Sequence, residues 1–194
     1  MVKGTDKSEM IVFSSDVPPT RDRVHAQTIA RGMVLSERQF DQVFEMISNL
    51  HDLKEKVYMQ EIEAITDEVM HTPKDGYKLL SVRIAFGSRL VPSAAVSIRT
   101  AGGEQIIAEA TGNSSIDAIY LAIQRATKTH VFLKGFTYGN LTPGANSLGK
   151  ATVRVEHHGR HVSAQACSMD ILEAVARAFL NAISIINETR KVSS

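Results

Sequence analysis

Apolar and polar residues alternate most regularly in the last third of the chain. Residues 151–156 alternate between the two kinds, and residues 161–166 do so again after a short polar segment that contains Gly159. A period of two is typical of half-buried strands, so this stretch predicts an antiparallel hairpin. From about residue 168 to 190, polar residues recur every three or four positions on a narrow stripe, which predicts a long helix.

The predicted helix is apolar over most of its circumference, which is more than one face of a sheet can bury. Two interpretations follow from this excess. Either the helix is the centre of one large core, or part of it lies in an interface between subunits. The residues alone leave both open.

The same order of elements occurs once before in the chain. Residues 94–98 show the alternation of residues 151–155 at a distance of 57 positions, and a series of alanines recurs at a distance of 56. The one-residue difference falls in the hairpin turn, where an insertion is best tolerated. An alternating strand also precedes each copy, at residues 80–86 and 131–138, so we predict an α+β fold with an internally duplicated βββα unit. The corresponding alanines are Ala108, Ala110, Ala118, Ala122 and Ala126 in the first copy, and Ala164, Ala166, Ala174, Ala178 and Ala182 in the second.

The first part of the chain has a different pattern. Residues 1–20 mix charges, serines and two prolines, which indicates a flexible tail. Residues 21–72 contain short segments with helical spacing, one of them opened by Ser36 with Gln39 three positions later, as in a capping box. We predict a small all-helical linker subdomain here, followed by the duplicated domain at residues 77–190.

Composition narrows the class of protein. Of the 194 residues, 43% are hydrophobic and 22% charged, which is ordinary for a globular chain. A net charge of +1 gives no electrostatic footprint for nucleic acid or for an anionic membrane. The single cysteine, the lack of an apolar N-terminal signal and the lack of a membrane-length apolar run lead us to expect a cytoplasmic protein with neither nucleic acid nor membrane as a partner.

Three features invite a chemical interpretation that the residues do not support. His157, His158 and His161 suggest a metal, but adjacent strand residues point to opposite faces and no third ligand type is placed nearby, so a hairpin turn is favoured. Cys167 is interpreted as a small buried thiol. The glycine-rich stretch 139–149 lacks the order of a phosphate loop and is interpreted as a flexible connection. We therefore predict no catalytic residue, no metal and no cofactor.

The most informative stretch is residues 111–118, where a strand ends and a helix begins. Free backbone N–H groups and the helix dipole at such a point favour a carboxylate. Asp117 is placed to meet an ammonium group, and Ile116 with Phe132 would supply an apolar wall, so the group suits a branched-chain amino acid. The alternative is plain N-capping by Ser114 or Ser115, with Asp117 merely favourable to the helix dipole.

Several segments together resemble the C-terminal regulatory domain of 2-isopropylmalate synthase and of its relative citramalate synthase. Residues 112–118 are similar to that family's Gly-Asn-Gly-Pro-x-Asp-Ala segment, and residues 35–67 to its helical linker subdomain. Two further segments, 149–160 and 168–174, follow in the family's order. The resemblance covers about residues 21–188 and is more specific than any one motif.

The resemblance implies two βββα units related by a pseudo-twofold axis, a homodimer, and a feedback site for leucine, or for isoleucine in citramalate synthases. It places that site between the units and near the dimer interface. The family's pattern at Gly-Pro is replaced here by Ser114-Ser115, and a tyrosine of the effector pocket falls on Gly135 unless Phe136 takes its place. The effector-binding residues that it implies are Gly112, Asn113, Ile116, Asp117, Phe132, Gly135 and Phe136.

The family's catalytic portion is a TIM barrel that carries a divalent metal on a His-x-His pair and condenses acetyl-CoA with a 2-oxo acid. Neither the barrel nor the pair occurs in these 194 residues. We therefore expect no synthase activity from this polypeptide by itself, and a role as a part or regulatory subunit that acts with a catalytic barrel. The alternative is a structural dimerisation domain whose effector site has decayed.

Overall fold

The structure is a computed structural model that describes residues 10–144 and 146–192, with side chains as far as Thr189. The described residues form two compact units. One contains those up to residue 71 together with 140–148, and the other contains 72–139 and those from 149 onward. The elements of the first unit are β1 (Ile11–Phe13), α1 (Arg21–Ile29), α2 (Glu37–Lys54), β2 (Val57–Tyr58) and α3 (Met59–His71). Those of the second are β3 (Lys78–Gly87), β4 (Leu90–Arg99), β5 (Gln105–Thr111), α4 (Ser115–Thr127), β6 (Phe132–Asn140), β7 (Gly149–His157), β8 (Arg160–Ser168) and α5 (Ile171–Val192).

The first unit is helical apart from one short ribbon. Ser36 and Gln39 form the predicted capping box at the start of α2. Strand β1 pairs antiparallel with β2 and buries Phe13, which is 1% exposed. Sequence pattern did not predict this ribbon, since β1 and β2 have only three and two residues. Residues 1–9 of the predicted tail lie outside the described residues, whereas Ile11–Phe13 belongs to the folded unit.

A buried ion pair in this unit holds the connection between β6 and β7. The Glu61 side chain is fully buried and accepts hydrogen bonds from Lys54 Nζ at 2.6 Å and from the Tyr58 amide at 3.0 Å. It also accepts from Thr142 Oγ1 at 3.2 Å and from the Leu148 amide at 3.3 Å. Because residues 142 and 148 are anchored and buried, the prediction of a flexible connection at 139–149 was wrong. The cause is the Glu61 carboxylate, 81 and 87 positions away from residues 142 and 148, which local composition does not reveal.

The second unit confirms the duplication at the level of strand register. Its two three-stranded sheets have the orders β3-β4-β5 and β6-β7-β8. In the first sheet, the core pairs across β4 and β5 are Ala94 with Ala110, Val96 with Ala108 and Ile98 with Ile106. In the second, the pairs are Ala151 with Ala166, Val153 with Ala164 and Val155 with Val162. Each of these three pairs of the first sheet recurs in the second at the offsets of 57 and 56.

The hairpin turns account for the one-residue difference between those offsets. In the first repeat, the Thr100 amide donates to the Glu104 carbonyl, which leaves three residues in the turn. In the second, His157 pairs with Arg160, which leaves two. His158 and Gly159 have φ of 48° and 77°, as a two-residue type I′ turn requires. The hairpin interpretation of the histidines is therefore confirmed.

The helices of the two repeats share one apolar core. Helix α4 packs on β4 and β5, α5 packs on β7 and β8, and the two helices contact each other and β3. Phe179, Leu180 and Ile183 of α5 are each at most 1% exposed within the single chain. Burial of one such side chain contributes about 1.5–3 kcal/mol. The wide apolar surface of α5 is thus explained by the other repeat, and α5 is the central helix of a core.

Candidate effector site

The helix-start group, residues 112–117, is built by a tight approach of backbone to backbone. The Gly112 amide donates to the Pro92 carbonyl at 2.9 Å, which extends the β4–β5 ladder to the beginning of α4. A Cβ on Gly112 would lie 2.5 Å from the Ala118 nitrogen. Only glycine fits this position, so backbone packing alone explains why residue 112 is a glycine, whether or not a ligand binds nearby.

Polar groups at the start of α4 are largely engaged with one another. Ser114 is the N-cap, and its hydroxyl accepts from the Asp117 amide at 3.1 Å. Asp117 Oδ2 in turn accepts from the backbone amide of Asn113 at 2.8 Å and from its side-chain amide at 3.2 Å. These bonds form a reciprocal cap of the kind that satisfies free N–H groups at a helix start. The Asp117 carboxylate would therefore have to bind an ammonium ligand while it also accepts the bonds from Asn113.

The second repeat has the same kind of cap, with different residues. Asp170 stands 56 positions after Ser114, and its Oδ1 accepts from the amides of Leu172 and Glu173 at 2.8 and 2.9 Å. Glu173 stands 56 positions after Asp117 and accepts from Ser168 Oγ at 3.2 Å. Both repeats therefore place a carboxylate in the first turn of the helix, but Asp117 bonds a backbone amide whereas Glu173 bonds only the Ser168 hydroxyl.

Helix α4 also fixes the beginning of β6. Gln124 Oε1 accepts from the Val131 amide at 2.8 Å and lies 2.7 Å from His130 Nδ1. The Tyr120 hydroxyl donates to the Val131 carbonyl, and its ring lies 5.3 Å from that of Phe179. Burial raises the pKa of Tyr120, so its hydroxyl remains a donor at neutral pH. Sequence reasoning missed Tyr120 and Gln124. These two residues join α4, whose first turn contains the candidate site, to β6, which carries Phe132.

The predicted residues of β6 lie on two faces of that strand. Phe132 and Phe136 are 61% and 41% exposed and share the outer face. Gly135 lies on the face of Leu133, where a Cβ would meet nothing within 4 Å. Since neighbouring strand residues point to opposite sides, Phe136 does not occupy the space that a side chain at 135 would fill. The structure thus groups Gly112, Asn113, Ile116 and Asp117 at the helix start and Phe132 with Phe136 on β6, and leaves Gly135 apart.

Two other features limit the chemistry of the site. Within residues 10–144 and 146–192, no three histidine, cysteine, aspartate or glutamate side chains are grouped so as to hold a metal ion. Cys167 is buried, in agreement with its interpretation as a small core thiol. Across the same residues, no helix combines the length and apolar composition that a bilayer crossing needs.

Comparison with known proteins agrees with the repeat architecture. Residues 56–187 match the family model described as the LeuA allosteric (dimerisation) domain. The chain belongs to this family. Proteins named 2-isopropylmalate synthase are similar to it, at 33% identity over 153 residues in Trichodesmium erythraeum and 33% over 159 residues in Brevibacillus brevis.

The LeuA domain accounts for only a part of these relatives. The alignment covers 79% of this chain and 28% of the Trichodesmium erythraeum protein, and 82% and 31% for Brevibacillus brevis. A protein of the same name from Picosynechococcus is 31% identical over 153 residues, which are 29% of its length. The chain therefore spans less than a third of these relatives, and what the whole proteins do is a separate question from what this domain does.

Proposed function

We propose that this chain is the regulatory and dimerisation module of a 2-isopropylmalate synthase-like enzyme of leucine biosynthesis. In this proposal it forms a homodimer and binds a branched-chain amino acid, most simply leucine, as feedback effector. The observation that carries it is the junction of α4 and β6. Tyr120 and Gln124 attach to the start of β6 the same helix whose first turn holds Asn113 and Asp117. A ligand that moved one element would therefore move the other.

The chemistry of the proposed site suits a small aliphatic zwitterion. The N-terminus of α4 favours a carboxylate, while Asp117 favours an ammonium group. Ile116 is partly buried against the core, and Phe132 and Phe136 present exposed rings. We propose Gly112, Asn113, Ile116, Asp117, Phe132 and Phe136 as its walls, with Gly135 at the rear of β6.

Calorimetry with leucine, isoleucine and valine on the folded chain tests the proposal. We expect heat of binding for leucine, while a preference for isoleucine would indicate the regulatory domain of a citramalate synthase. Heat for none of the three would remove the ligand half of the proposal.

A pair of matched variants separates binding from capping. Asp117→Asn weakens the bonds from Asn113, and Glu173→Gln weakens the bond from Ser168 at the equivalent position of the other repeat, with similar expected costs of about 0.5–1.5 kcal/mol. Only Asp117→Asn should weaken leucine binding, by about tenfold or more, because a charged hydrogen bond is worth about 1.5–3 kcal/mol. Equal affinities of the two variants would show that Asp117 only caps the helix.

A second candidate function is a structural dimerisation domain with a decayed effector site. It is favoured by the engagement of Asp117 in the cap and by the open space at Gly135. Light scattering distinguishes it from the first: a dimer that binds none of the three amino acids supports it, and a monomer at micromolar concentration argues against it.

Catalysis is proposed to belong to a barrel that this chain regulates, as part of the same polypeptide or as a separate subunit. The proposed reaction is the acyl transfer from acetyl-CoA to a 2-oxo acid. Incubation of the chain with acetyl-CoA and 2-oxoisovalerate should release no thiol. Thiol release that depends on the 2-oxo acid would contradict this assignment.

A further inference from the structure

The second unit contains a cavity of about 420 Å³ beside the hairpin turn between β4 and β5, which we call the turn cavity. Three segments line it: the residues just before β3, the turn itself and the C-terminal part of α5. Cavities that bind small molecules have volumes of about 300–1,000 Å³, so the turn cavity is large enough for one. Its lining includes Asp75, Tyr77, Thr100, Ser184, Asn187 and Glu188.

The turn cavity is separate from the candidate effector site. Strand β5 has seven residues, and the hairpin turn lies at its beginning whereas the start of α4 follows its end. At about 3.4 Å per residue, the two places are roughly 20 Å apart. A ligand in the turn cavity would therefore occupy a second site, whatever binds at the start of α4.

The starts of β3 and β6 are held in the same way in the two repeats. The Tyr77 amide donates to Ser184 Oγ of α5 at 2.9 Å, and the Val131 amide donates to Gln124 Oε1 of α4 at 2.8 Å. In each case the acceptor belongs to the helix of the other repeat, so the two positions correspond. The residues at the preceding position are Gly76 in the first repeat and His130 in the second.

Histidine rings lie in the second repeat where the first repeat has the turn cavity. His157 Nδ1 donates to the His130 carbonyl at 2.6 Å, and the ring of His158 lies 4.2 Å from that of His157. The residues 57 positions before these two histidines are Thr100 and Ala101, which line the cavity. The first repeat thus has two small side chains at the turn, and the space beside them is open.

The groups in the lining that can bind a ligand are mainly acceptors. Asp75 and Glu188 are exposed carboxylates, and the described part of the lining contains no lysine or arginine. The side-chain amide of Asn187 donates to the Tyr77 hydroxyl at 3.4 Å and to Thr129 Oγ1 at 3.2 Å, so its oxygen is the atom that remains to accept a bond. Such a lining favours a ligand with positive charge and N–H donors.

We infer that the turn cavity is a second ligand site, for a small organic cation that carries a ring and N–H donors. The second repeat indicates the ring, because an imidazole there bonds the chain through its N–H group. The carbonyl that corresponds to that of His130 belongs to Gly76, which lines the cavity. Asp75 and Glu188 indicate the charge, and the Tyr77 ring adds an aromatic surface of the kind that attracts cations.

Histamine tests the inference, with N-acetylhistamine as the control ligand. Both carry an imidazole ring, but only histamine has an ammonium group at neutral pH. In ¹H–¹⁵N spectra of the full chain, we expect histamine to shift the amide signals of Gly76, Tyr77 and Gly102 and to leave those of Asn113 and Asp117 unchanged. The Kd of histamine should be at least about tenfold lower than that of N-acetylhistamine, because hydrogen bonds between charged groups are stronger than neutral ones.

Three variants locate the site. Thr100→His places a ring where the second repeat has His157, so it should fill the cavity and raise the Kd of histamine at least about tenfold. The double variant Asp75→Asn/Glu188→Gln removes both carboxylates and should raise the Kd as much. Glu104→Gln is the control: it removes an exposed carboxylate next to the same turn that does not line the cavity, and should change the Kd by less than about twofold. Circular dichroism establishes that each variant is folded.

The outcomes decide for or against the turn cavity. No shift of the three signals at about 10 mM histamine would overturn the inference, and so would unchanged binding in both Thr100→His and the double variant. Equal losses in Glu104→Gln and the double variant would show that overall charge attracts histamine, and shifts centred on Asn113 would place the cation at the start of α4 instead. None of these results depends on leucine binding or on dimerisation, so the proposed function stands or fails separately.

Discussion

The two repeats have the same interior and different connections. Two of the three core pairs across their second and third strands are identical, and the third is Ile98 with Ile106 in the first repeat and Val155 with Val162 in the second. The link between the first and second strands, however, is the tight turn Ser88-Arg89 in the first repeat and the 140–148 loop in the second. The first turn is exposed, whereas the second loop is bonded to the buried Glu61. A duplicated core thus keeps its packing, since interior contacts tolerate little change, while its connections diverge in length and environment.

The helix starts differ in a related way. Gly112 of the first repeat lies against the backbone of Ala118, but the residue 56 positions later is Ser168, whose hydroxyl takes part in the cap of α5. The first repeat therefore brings strand and helix closer together than the second. This closer approach is at the candidate site, which makes the two helix starts a natural pair for experiments.

The largest expected effect on stability comes from disrupting the buried Glu61–Lys54 pair that anchors the 140–148 loop of the second repeat. Glu61→Gln removes the charge that neutralises Lys54, whose side chain is 5% exposed. Leaving a buried charge unpaired costs about 3–5 kcal/mol, to be measured by urea denaturation. The control is Glu63→Gln, which removes a half-exposed partner of Arg31 at 3.5 Å and should cost less than about 1 kcal/mol. Equal losses of unfolding free energy in the two variants would mean that the buried Glu61–Lys54 pair contributes no more than a surface pair.

The next effect concerns the close approach in the first repeat. Gly112→Ala places a Cβ against backbone atoms that cannot rotate away, so we expect a loss of about 1–3 kcal/mol in unfolding free energy. Gly135→Ala is the control, because its Cβ meets nothing within 4 Å, and it should be neutral or slightly stabilising. A thermal melt of both variants measures the contrast. No loss for Gly112→Ala would show that the helix start can shift away from β4.

A smaller loss of stability, similar in the two repeats, should follow from removing the helix side chains that donate to the outer strands β5 and β8. Arg125→Ala and Asn181→Ala each release one strand carbonyl at equivalent positions of the two repeats. The expected cost is about 0.5–1.5 kcal/mol in each case by denaturant titration, the typical net value of a hydrogen bond. A strongly unequal pair of values would indicate that the two edges are not equivalent in energy.

The smallest effect concerns charge on the outer strands. Glu156 forms an ion pair with Lys134, and the hydrogen bond from Lys134 lowers the pKa of the Glu156 carboxyl. At the equivalent position of the first repeat, 57 residues earlier, Arg99 instead faces another cation, Lys78, across β3 and β4. Because the folded-state pKa of Glu156 is lowered, its contribution is present above the unfolded pKa and is lost as pH falls through the folded value. Glu156→Gln should therefore reduce the slope of stability against pH in the acidic carboxyl range, and Arg99→Glu should add about 0.2–1 kcal/mol at neutral pH. Thermal melts from pH 3 to 7 measure both, and unchanged slopes would contradict the first expectation.

Sequence pattern predicted most of the duplicated domain. Alternation gave the strands, the 57 and 56 offsets gave the repeat and placed its one-residue difference in the turn, and Ser36 with Gln39 gave the start of α2. These features are local or periodic, so they can be read without knowing which segments meet. The candidate residues at 112–117 were also accessible in this way, because a cap at a strand-to-helix junction has a local signature.

Only the tertiary structure decided what depends on distant partners. The burial of Glu61 with Lys54, Thr142 and Leu148 joins residues up to 87 positions apart, and no local rule distinguishes such a carboxylate from a solvated one. The same holds for α5, whose second apolar face is covered by the other repeat, and for Tyr120 and Gln124, which fasten β6. Sequence by itself determined the elements and their repetition, because these follow from short-range periodicity. Which polar groups are buried together was decided by packing, because burial is a property of the whole fold.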